Sequence, residues 1–244
     1  MKFSANLGFL WLDLPLPEAI RAAKAAGFDA VELHWPYEVP AGELKAALDE
    51  TGLPCLGLNT RRGETGGLSA IPGGGAAARA AVDEAVAYAS AIGAGAVHVM
   101  AGVAEGPEAE AAFRDTLDYA CAAAPDLTIL IEPLNRYDAP GYFLTTTGQA
   151  AVLIDAMARP NLKLMFDCYH VQVMEGDLTR RFDEVRGLVG HVQFAGVPDR
   201  GRPDRGEIAY DRLLPALGWD GPFGAEYKPG GPTEDTLGWL DAWR

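Results

Sequence analysis

The chain has 244 residues, of which 34 are Asp or Glu and 20 are Lys or Arg, so its formal net charge is −14. This excess of negative charge argues against nucleic acid as a partner, because a protein that binds DNA or RNA neutralises phosphates with clustered Lys and Arg. Apolar residues make up 49% and charged residues 22% of the sequence, a composition typical of globular proteins rather than disordered or fibrous ones.

No targeting or membrane segment is recognisable in the sequence. The first residues lack the long apolar run of a signal peptide, and no apolar stretch reaches the ~18 residues that a membrane span needs. The three cysteines, Cys55, Cys121 and Cys168, are odd in number and lack the Cys-x-x-Cys spacing. Such cysteine usage fits a reducing compartment and argues against disulfides or a zinc site. We therefore expect a soluble cytoplasmic protein without a membrane partner.

Short apolar runs alternate with longer helical patterns along the whole chain. The predicted strands are Phe3–Leu7, Ala30–Leu33, Pro54–Leu58, Ala96–Met100, Leu127–Glu132, Leu162–Asp167, Val189–Phe194 and Phe223–Tyr227. The predicted helices that follow them are Pro17–Gly27, Gly42–Thr51, Ala76–Ile92, Glu108–Ala123, Thr147–Met157, Leu178–Arg186, Tyr210–Leu217 and Thr233–Trp243.

Eight strand-then-helix units of roughly thirty residues each favour an α/β fold, a single (β/α)₈ TIM barrel that forms one domain over residues 1–244. A doubly wound open sheet is the alternative. Its usual marker, Gly-x-Gly-x-x-Gly at the first strand-to-helix turn, is missing. The run Gly73-Gly74-Gly75 lies in the third loop and has no Lys-Ser/Thr behind it, so we interpret it as a flexible loop.

Four polar side chains stand at or near the carboxyl ends of predicted strands, where a barrel carries its chemistry. They are Glu132, Asp167, Gln193 and Glu226, and they are separated by 35, 26 and 33 residues. Because each interval is close to one βα unit, we expect the four side chains to occupy the same height on consecutive strands and to converge on one mouth.

Three carboxylates in one mouth would raise one another's pKa values unless a cation lay among them. Oxygen ligands without thiolate favour a hard divalent ion, Mg²⁺ or Mn²⁺, over zinc. For any single carboxylate, a structural salt bridge or a helix cap is the alternative explanation.

Further candidates surround these four positions. His170 follows Asp167 by three residues in a predicted loop, where it could hydrogen-bond a substrate oxygen, and Lys228 follows Glu226 by two. Arg200, with Arg202 and Arg205, lies in the loop after strand seven, where barrels often bind anions. A solvated basic loop is the alternative for most of these arginines. His34 and His98 are interpreted as structural or rim residues. For His191, a core-facing histidine and a residue of the site are equal alternatives.

Short motifs spread over the whole chain resemble the hydroxypyruvate isomerase family, within the xylose-isomerase-like group of barrels. The densest are Ile131-Glu132-Pro133, Pro140-Gly141-Tyr142-Phe143-Leu144-Thr145, Asp167-Cys168-Tyr169-His170, Gly190-His191-Val192-Gln193 and Glu226-Tyr227-Lys228-Pro229. Gln193 is a discriminating position, since related ketose epimerases tend to carry His there. Endonuclease IV-like repair enzymes carry additional His ligands, which are not apparent in this sequence.

The resemblance implies a metal bound by Glu132, Asp167, Gln193 and Glu226, with Glu132 and Glu226 also transferring protons. The implied reaction converts hydroxypyruvate to 2-hydroxy-3-oxopropanoate through an ene-diolate. In that reaction the substrate is oriented by three further residues: His170, Arg200 and Lys228.

The sequence departs from the family in substrate-facing loops. Ala195-Gly196 stands where relatives have Ala-Asp, Arg202 and Arg205 replace Glu and Thr, and the stretch 59–62 reads Asn-Thr-Arg-Arg instead of Asn-Leu-Pro. The exact substrate therefore stays open, with a longer keto-sugar or a four-carbon oxo acid as the first alternative. A non-catalytic sugar-acid binding protein and a DNA-repair nuclease are the others, and assembly into a homo-oligomer is left open.

Overall fold

Eight parallel strands form the centre of the protein in a computed structural model that describes residues 1–243. The strands are β1 Phe3–Asn6, β2 Ala30–Glu32, β3 Leu58–Asn59, β4 Ala96–His98, β5 Thr128–Ile131, β6 Leu162–Asp167, β7 Val189–Phe194 and β8 Phe223–Ala225. They pair in the order β2-β1-β8-β7-β6-β5-β4-β3. The first strand therefore lies between the second and the last, as a barrel requires.

Backbone hydrogen bonds also join β2, at one end of this strand order, to the segment before β3, at the other end. The amide of Val31 donates to the carbonyl of Pro54 at 3.0 Å, and the amide of Leu56 returns a bond to Val31 at 2.8 Å. Leu33 donates to Gly57 at 3.0 Å. These bonds bring β2 and the segment before β3 together, so the sheet is a nearly closed barrel and the predicted fold class is confirmed.

Helices connect the strands. They are α1 Leu16–Ala25, α2 Ala41–Thr51, α3 Gly75–Ile92, α4 Gly106–Ala123, α5 Thr147–Met157, α6 Cys168–Met174, α7 Leu178–Val185, α8 Tyr210–Leu217 and α9 Gly238–Ala242. Helices α2 and α3 end at Gly52 and Gly93, where the backbone adopts the left-handed conformation (φ of 66° and 74°) that glycine reaches without steric cost. None of the helices within residues 1–243 is both long and apolar enough to cross a membrane.

The structure differs from the predicted elements in three places. The segment with His170 is a helix, α6, and not a loop, because the carboxylate of Asp167 accepts a hydrogen bond from the Tyr169 amide (2.8 Å) and caps it. The third strand, predicted over Pro54–Leu58, is formed by Leu58–Asn59. The predicted helix over 233–243 is divided into a 3₁₀ turn, Thr233–Thr236, and α9, and the Thr236 hydroxyl donates to the Thr233 carbonyl within the turn.

The core extends around the barrel and under its helices. Trp239 of α9 is buried and packs edge-on against Phe3 and Phe194, with ring centroids 5.2 and 5.4 Å apart. The last helix thus covers the outside of β1 and β7. The interpretation of residues 1–244 as one domain stays a prediction, and Arg244 lies outside the described residues.

Candidate active site

A cavity of about 570 Å³ opens at the carboxyl ends of the strands. It is lined by five of the seven predicted site residues: Glu132, His170, Arg200, Glu226 and Lys228. Asp167 is buried behind Arg200, and Gln193 lines an adjoining cavity of about 20 Å³ that shares Asn59 and His98 with the larger one. The mouth of the barrel is therefore where the predicted residues gather.

The three predicted carboxylates reach this mouth from three strands. Asp167 is the last residue of β6, whereas Glu132 and Glu226 lie one residue beyond β5 and β8. All three are buried, with exposures of 1 to 6%. In the sheet register Asp167 pairs with Gln193, and Gln193 pairs with Gly224, so the strand ends stand at matching heights.

Arg200 supplies the positive charge that faces two of these carboxylates. Its Nη2 donates to Glu226 Oε2 at 2.7 Å and to Asp167 Oδ2 at 3.3 Å. The guanidinium also stacks over the rings of Phe9 and Tyr169, at 4.8 and 5.2 Å from their centroids. Burial lowers the pKa of Arg200, but the neighbouring carboxylates more than offset that effect and raise it above its ordinary value, so the group stays charged.

The loop after β7 places Arg200 in the mouth. The amide of Gly196 donates to the carbonyl of Gly201 at 2.8 Å, and the backbone of Lys228 donates to the carbonyl of Arg200 at 2.7 Å. A Cβ at position 196 would lie 2.5 Å from the carbonyl oxygen of Arg202. A side chain at this position does not fit the loop, because the added carbon would also lie 2.9 Å from the carbonyl oxygen of Arg205.

The three carboxyl groups have unequal pKa values. Burial, reinforced by the charges of Glu226 and Asp167, raises the pKa of Glu132 well above its ordinary value. Burial also raises the pKa of Asp167, to about 7, although Arg200 opposes the shift. Burial acts on Glu226 too, but Arg200 and a 2.7 Å hydrogen bond with His34 outweigh it and lower its pKa to about 2. Two neighbouring glutamates therefore differ in their affinity for a proton.

His170 is held in one tautomer. The backbone amide of Asn135 donates to its Nδ1 at 3.0 Å, so Nδ1 is an acceptor without a proton. Burial lowers the pKa of His170 to about 3, which keeps the ring neutral. The proton of the neutral ring therefore resides on Nε2, which points toward Asp167 Oδ2 (3.6 Å) and Glu132 Oε1 (3.9 Å). His170 is a hydrogen-bond donor to this site, and its fixed tautomer disfavours it as a metal ligand.

Gln193 is oriented by Glu32, a residue that was not predicted to belong to the site. The amide nitrogen of Gln193 donates to Glu32 Oε2 at 2.7 Å, while its oxygen is buried and has no hydrogen-bond partner among the described residues. Burial raises the pKa of Glu32, but His191 and hydrogen bonds from Ser4 and Gln193 outweigh it and lower it below its ordinary value. The sequence signal that could have found Glu32 is a carboxylate in the otherwise apolar predicted strand Ala30–Leu33.

Two histidines interpreted as rim or core residues also contact the carboxylates. His34 bonds Glu226 as described, and His98 Nδ1 lies 3.7 Å from Glu132 Oε2. Burial lowers the pKa of His98 to about 4. His98 is the last residue of β4 and His34 lies two residues beyond β2, and this placement at strand ends is the signal that could have found them.

The chemistry of this cluster suits a cation. Ligand atoms of Glu132, Asp167 and His170 lie within 4.8 Å of one another, a spacing that could hold a metal ion. Because His170 Nε2 carries a proton in this tautomer, the unprotonated donors of the group are the oxygens of Glu132 and Asp167. Glu132 Oε1 and Gln193 Oε1 are buried oxygens without hydrogen-bond partners among the described residues. Unpartnered oxygens beside carboxyl groups that resist ionisation are the donors that a hard divalent ion would satisfy.

The fold and this cluster define a barrel enzyme, and comparison with known proteins gives its family. The xylose isomerase-like TIM barrel family matches residues 20–243, and the chain belongs to it. A 2-oxo-tetronate isomerase of Cupriavidus necator is 40% identical over 98% of this chain and 97% of its own length. The hydroxypyruvate isomerase of Escherichia coli is 35% identical, with both chains fully covered. These relatives confirm the isomerase class that the motifs implied.

A solved structure supports the same assignment of the fold. A Brucella melitensis protein described as an AP endonuclease of family 2 superposes with a TM-score of 0.95 and 36% identity, over 100% of this chain and 99% of that one. The match extends over the entire barrel.

Proposed function

We propose that the protein is a metal-dependent isomerase that interconverts hydroxypyruvate and 2-hydroxy-3-oxopropanoate. The observation that carries the proposal is the pairing of two buried glutamates, Glu132 and Glu226, that line one cavity in unequal surroundings: Glu226 is hydrogen-bonded to Arg200 and His34, whereas Glu132 Oε1 has no hydrogen-bond partner among the described residues. An aldose–ketose isomerisation needs one group that accepts a proton from carbon and one that returns it to the neighbouring carbon. Unequal environments are how enzymes divide these two tasks between carboxyl groups.

The proposed metal ligands are Glu132, Asp167, Gln193 and Glu226. All four offer oxygen, which supports Mg²⁺ or Mn²⁺ as the ion. When bound, such an ion polarises a substrate carbonyl and stabilises the negative charge of an ene-diolate. Arg200 is the group that now balances Asp167 and Glu226, so its contacts mark the place where positive charge is required.

Three side chains are proposed to orient the substrate. His170 offers a neutral Nε2–H donor for a substrate oxygen, with a geometry fixed by Asn135. Lys228 is exposed at the mouth, where no ion-pair partner for it occurs within residues 1–243. Arg200, already beside the carboxylates, is suited to bidentate contact with a substrate carboxylate. Together they would select a small anionic hydroxy-carbonyl compound.

A four-carbon oxo acid is the second candidate substrate. The cavity of about 570 Å³ leaves space beyond a three-carbon acid, and the Cupriavidus relative is named a 2-oxo-tetronate isomerase. Gly196 and Arg202, where the sequence departs from the family pattern, lie in the loop after β7, which also carries Arg200 of the cavity lining. Both candidates use the same proton transfer and differ only in the far end of the substrate.

Solvent deuterium exchange tests the proposal. Protein supplied with Mg²⁺ or Mn²⁺ is incubated in D₂O with hydroxypyruvate, a 2-oxo-tetronate and a ketohexose, and label at carbon is followed by NMR. We expect exchange with the first or second compound and loss of exchange in E226Q. The matched control is E43Q, which changes an exposed glutamate of α2. Binding without exchange for all three would support a binding protein, and neither binding nor exchange would refute the proposal.

A cytoplasmic location and a small-molecule partner complete the proposal. Cys55, Cys121 and Cys168 are buried thiols without disulfide bonds, as expected for a reducing compartment. The acidic net charge of −14 supports a role without nucleic acid. Assembly into a homo-oligomer is left open by the sequence, and light scattering would measure it.

A further inference from the structure

Glu32 and Gln193 form a buried pair inside the barrel. Glu32 is the last residue of β2, and Gln193 belongs to β7. The two strands are separated in the sheet by β1 and β8, so their side chains meet across the barrel interior. Gln193 Nε2 lies 2.7 Å from Glu32 Oε2, and both residues are at most 4% exposed.

The chemistry of the pair determines which way the amide of Gln193 points. A carboxylate accepts hydrogen bonds, so the amide group at 2.7 Å from it is the NH₂ and not the oxygen. The amide oxygen then points away from Glu32. That oxygen is buried and has no hydrogen-bond partner within the described part of the chain, residues 1–243. A buried polar atom of this kind is costly unless something binds it.

Glu32 is itself held by several donors. The hydroxyl of Ser4 donates to Oε1, and the amide of Asn6 lies 3.5 Å from Oε2. His191 Nε2 lies 3.1 Å from the same Oε2. A carboxylate fixed on both oxygens cannot rotate to follow a mobile partner, so it imposes its orientation on Gln193.

Gly224 makes room for this arrangement. It pairs with Gln193 in the sheet, two residues before Glu226. A Cβ at position 224 would lie 2.3 Å from Glu32 Oε1 and 2.9 Å from Gln193 Cγ. The glycine in β8 therefore leaves space for a carboxylate that reaches in from β2.

We propose that Glu32 is a positioning residue, which fixes the side-chain oxygen of Gln193 toward the divalent cation of the proposed site. The inference rests on the proposed function for the identity of the cation. It also explains why an amide suits position 193 in this chain: a second carboxylate there would face Glu32 at hydrogen-bond distance and repel it. The carboxylate of Glu32 and the amide NH₂ of Gln193 thus act as one unit, the first as hydrogen-bond acceptor and the second as donor.

Exchange of the two side-chain types tests this unit. In E32Q the carboxylate that orients Gln193 is lost. In the double variant E32Q/Q193E, an amide at position 32 donates to a carboxylate at position 193, and the net charge is unchanged. Mn²⁺ affinity is measured from the EPR signal of free Mn²⁺, and circular dichroism with thermal unfolding reports folding. The control T116V removes a buried hydroxyl in α4 that bonds Ser69 and Ala112, none of which lines the cavity.

For E32Q we expect Mn²⁺ to bind roughly 10- to 100-fold more weakly, the range typical when a residue that orients a metal ligand is replaced. The double variant should recover most of the affinity, and T116V should bind as the wild type does. Rescue by the exchange is the result that a purely structural role of Glu32 would not give. Wild-type affinity in E32Q, or a folded double variant no better than E32Q, would overturn the proposal.

A second measurement separates this inference from the proposed function. In chelator-treated protein, ¹⁵N NMR should show the side-chain NH₂ of Gln193 protected from exchange, with its signal assigned by its absence in Q193E. E32Q should lose that protection. If wild-type protein binds no Mn²⁺ but the NH₂ is protected, the metal proposal fails and the pair itself stands. If the NH₂ of the wild type exchanges freely, the pair is refuted whatever the metal does.

Discussion

Arg200 and Glu226 are joined by a 2.7 Å hydrogen bond between a side chain of the loop after β7 and one at the end of β8. The same guanidinium nitrogen reaches Asp167 at 3.3 Å. One cation therefore balances two buried carboxylates, although the sequence placed Arg200 in a loop where solvation was the alternative. This relationship gives the first testable consequence of the site.

Replacement of Arg200 by methionine should destabilise the protein in the presence of a chelator. The change leaves Asp167 and Glu226 without their counter-charge, and breaking a buried ion pair from one side costs about 3 kcal/mol. Urea unfolding in EDTA measures the difference, and added Mg²⁺ should reduce it. In the control R202M, loss of the ion pair with Asp204 near the surface should cost less than about 1 kcal/mol. An R200M protein as stable as the wild type would contradict the argument.

Replacement of Glu132 or Glu226 by glutamine should abolish most of the turnover. Glutamine retains the shape and an oxygen ligand but cannot exchange a proton, and general acid–base catalysis contributes roughly 10²- to 10⁴-fold. We expect kcat to fall by about that factor in each variant, while circular dichroism shows a folded barrel. The exposed-site variant E43Q should keep the wild-type rate. Near-normal turnover in either variant would remove that glutamate from the proton transfer.

Removal of divalent ions should abolish isomerisation. Asp167 and Gln193 have no proton-transfer role in the proposal, so the oxygens they contribute serve only the cation. Activity after exhaustive chelation should return with Mg²⁺ or Mn²⁺, measured by the same deuterium exchange. Calcium provides a comparison, since it prefers more ligands at longer distances. Full activity in protein shown to be metal-free by elemental analysis would refute the metal role.

His170 should be a neutral donor whose loss weakens substrate use. ¹⁵N NMR at neutral pH should show the proton on Nε2, because Nδ1 accepts from the Asn135 amide. In H170A, loss of a donor to a charged substrate oxygen costs about 1.5 to 3 kcal/mol, or roughly 10- to 100-fold in kcat/KM. Metal affinity should change little. A large loss of Mn²⁺ binding in H170A would instead identify the ring as a ligand.

Alanine at position 196 should destabilise the loop that carries Arg200. The new Cβ would lie 2.5 Å from a backbone carbonyl that cannot move alone, and overpacking of this kind costs about 1 to 3 kcal/mol. The matched control is G148A in α5, where nothing lies within 4 Å of the added carbon. That change should be neutral or slightly stabilising, because alanine favours the helix. Equal unfolding midpoints for the two variants would show that the loop adapts.

The repeat of the barrel was readable from the sequence because its signal is periodic. Each βα unit supplies an apolar run and an amphipathic helix, so eight units predict the strand order without any tertiary information. Elements whose ends depend on single side-chain bonds were not readable. The short α6 depends on a cap by Asp167, which lies at the end of the preceding strand.

The candidate site was readable only where residues lie at strand ends. Glu132 and Glu226 stand out because a charged residue directly follows an apolar run. Glu32 was missed although it ends β2, since its role depends on a partner far away in the chain, Gln193. The tautomer of His170 was equally hidden, because it depends on the backbone of Asn135. Contacts across the barrel interior have no local signature in the sequence.

The position of β8 between β1 and β7 has a consequence for synthesis. During translation the first seven strands emerge before the strand that joins the beginning of the sheet to its end. A nascent chain can therefore build neither the closed barrel nor the glutamate pair until Glu226 has left the ribosome. The proposed proton-transfer site and the completed barrel therefore appear together, so a polypeptide that ends before Glu226 should have no isomerase activity.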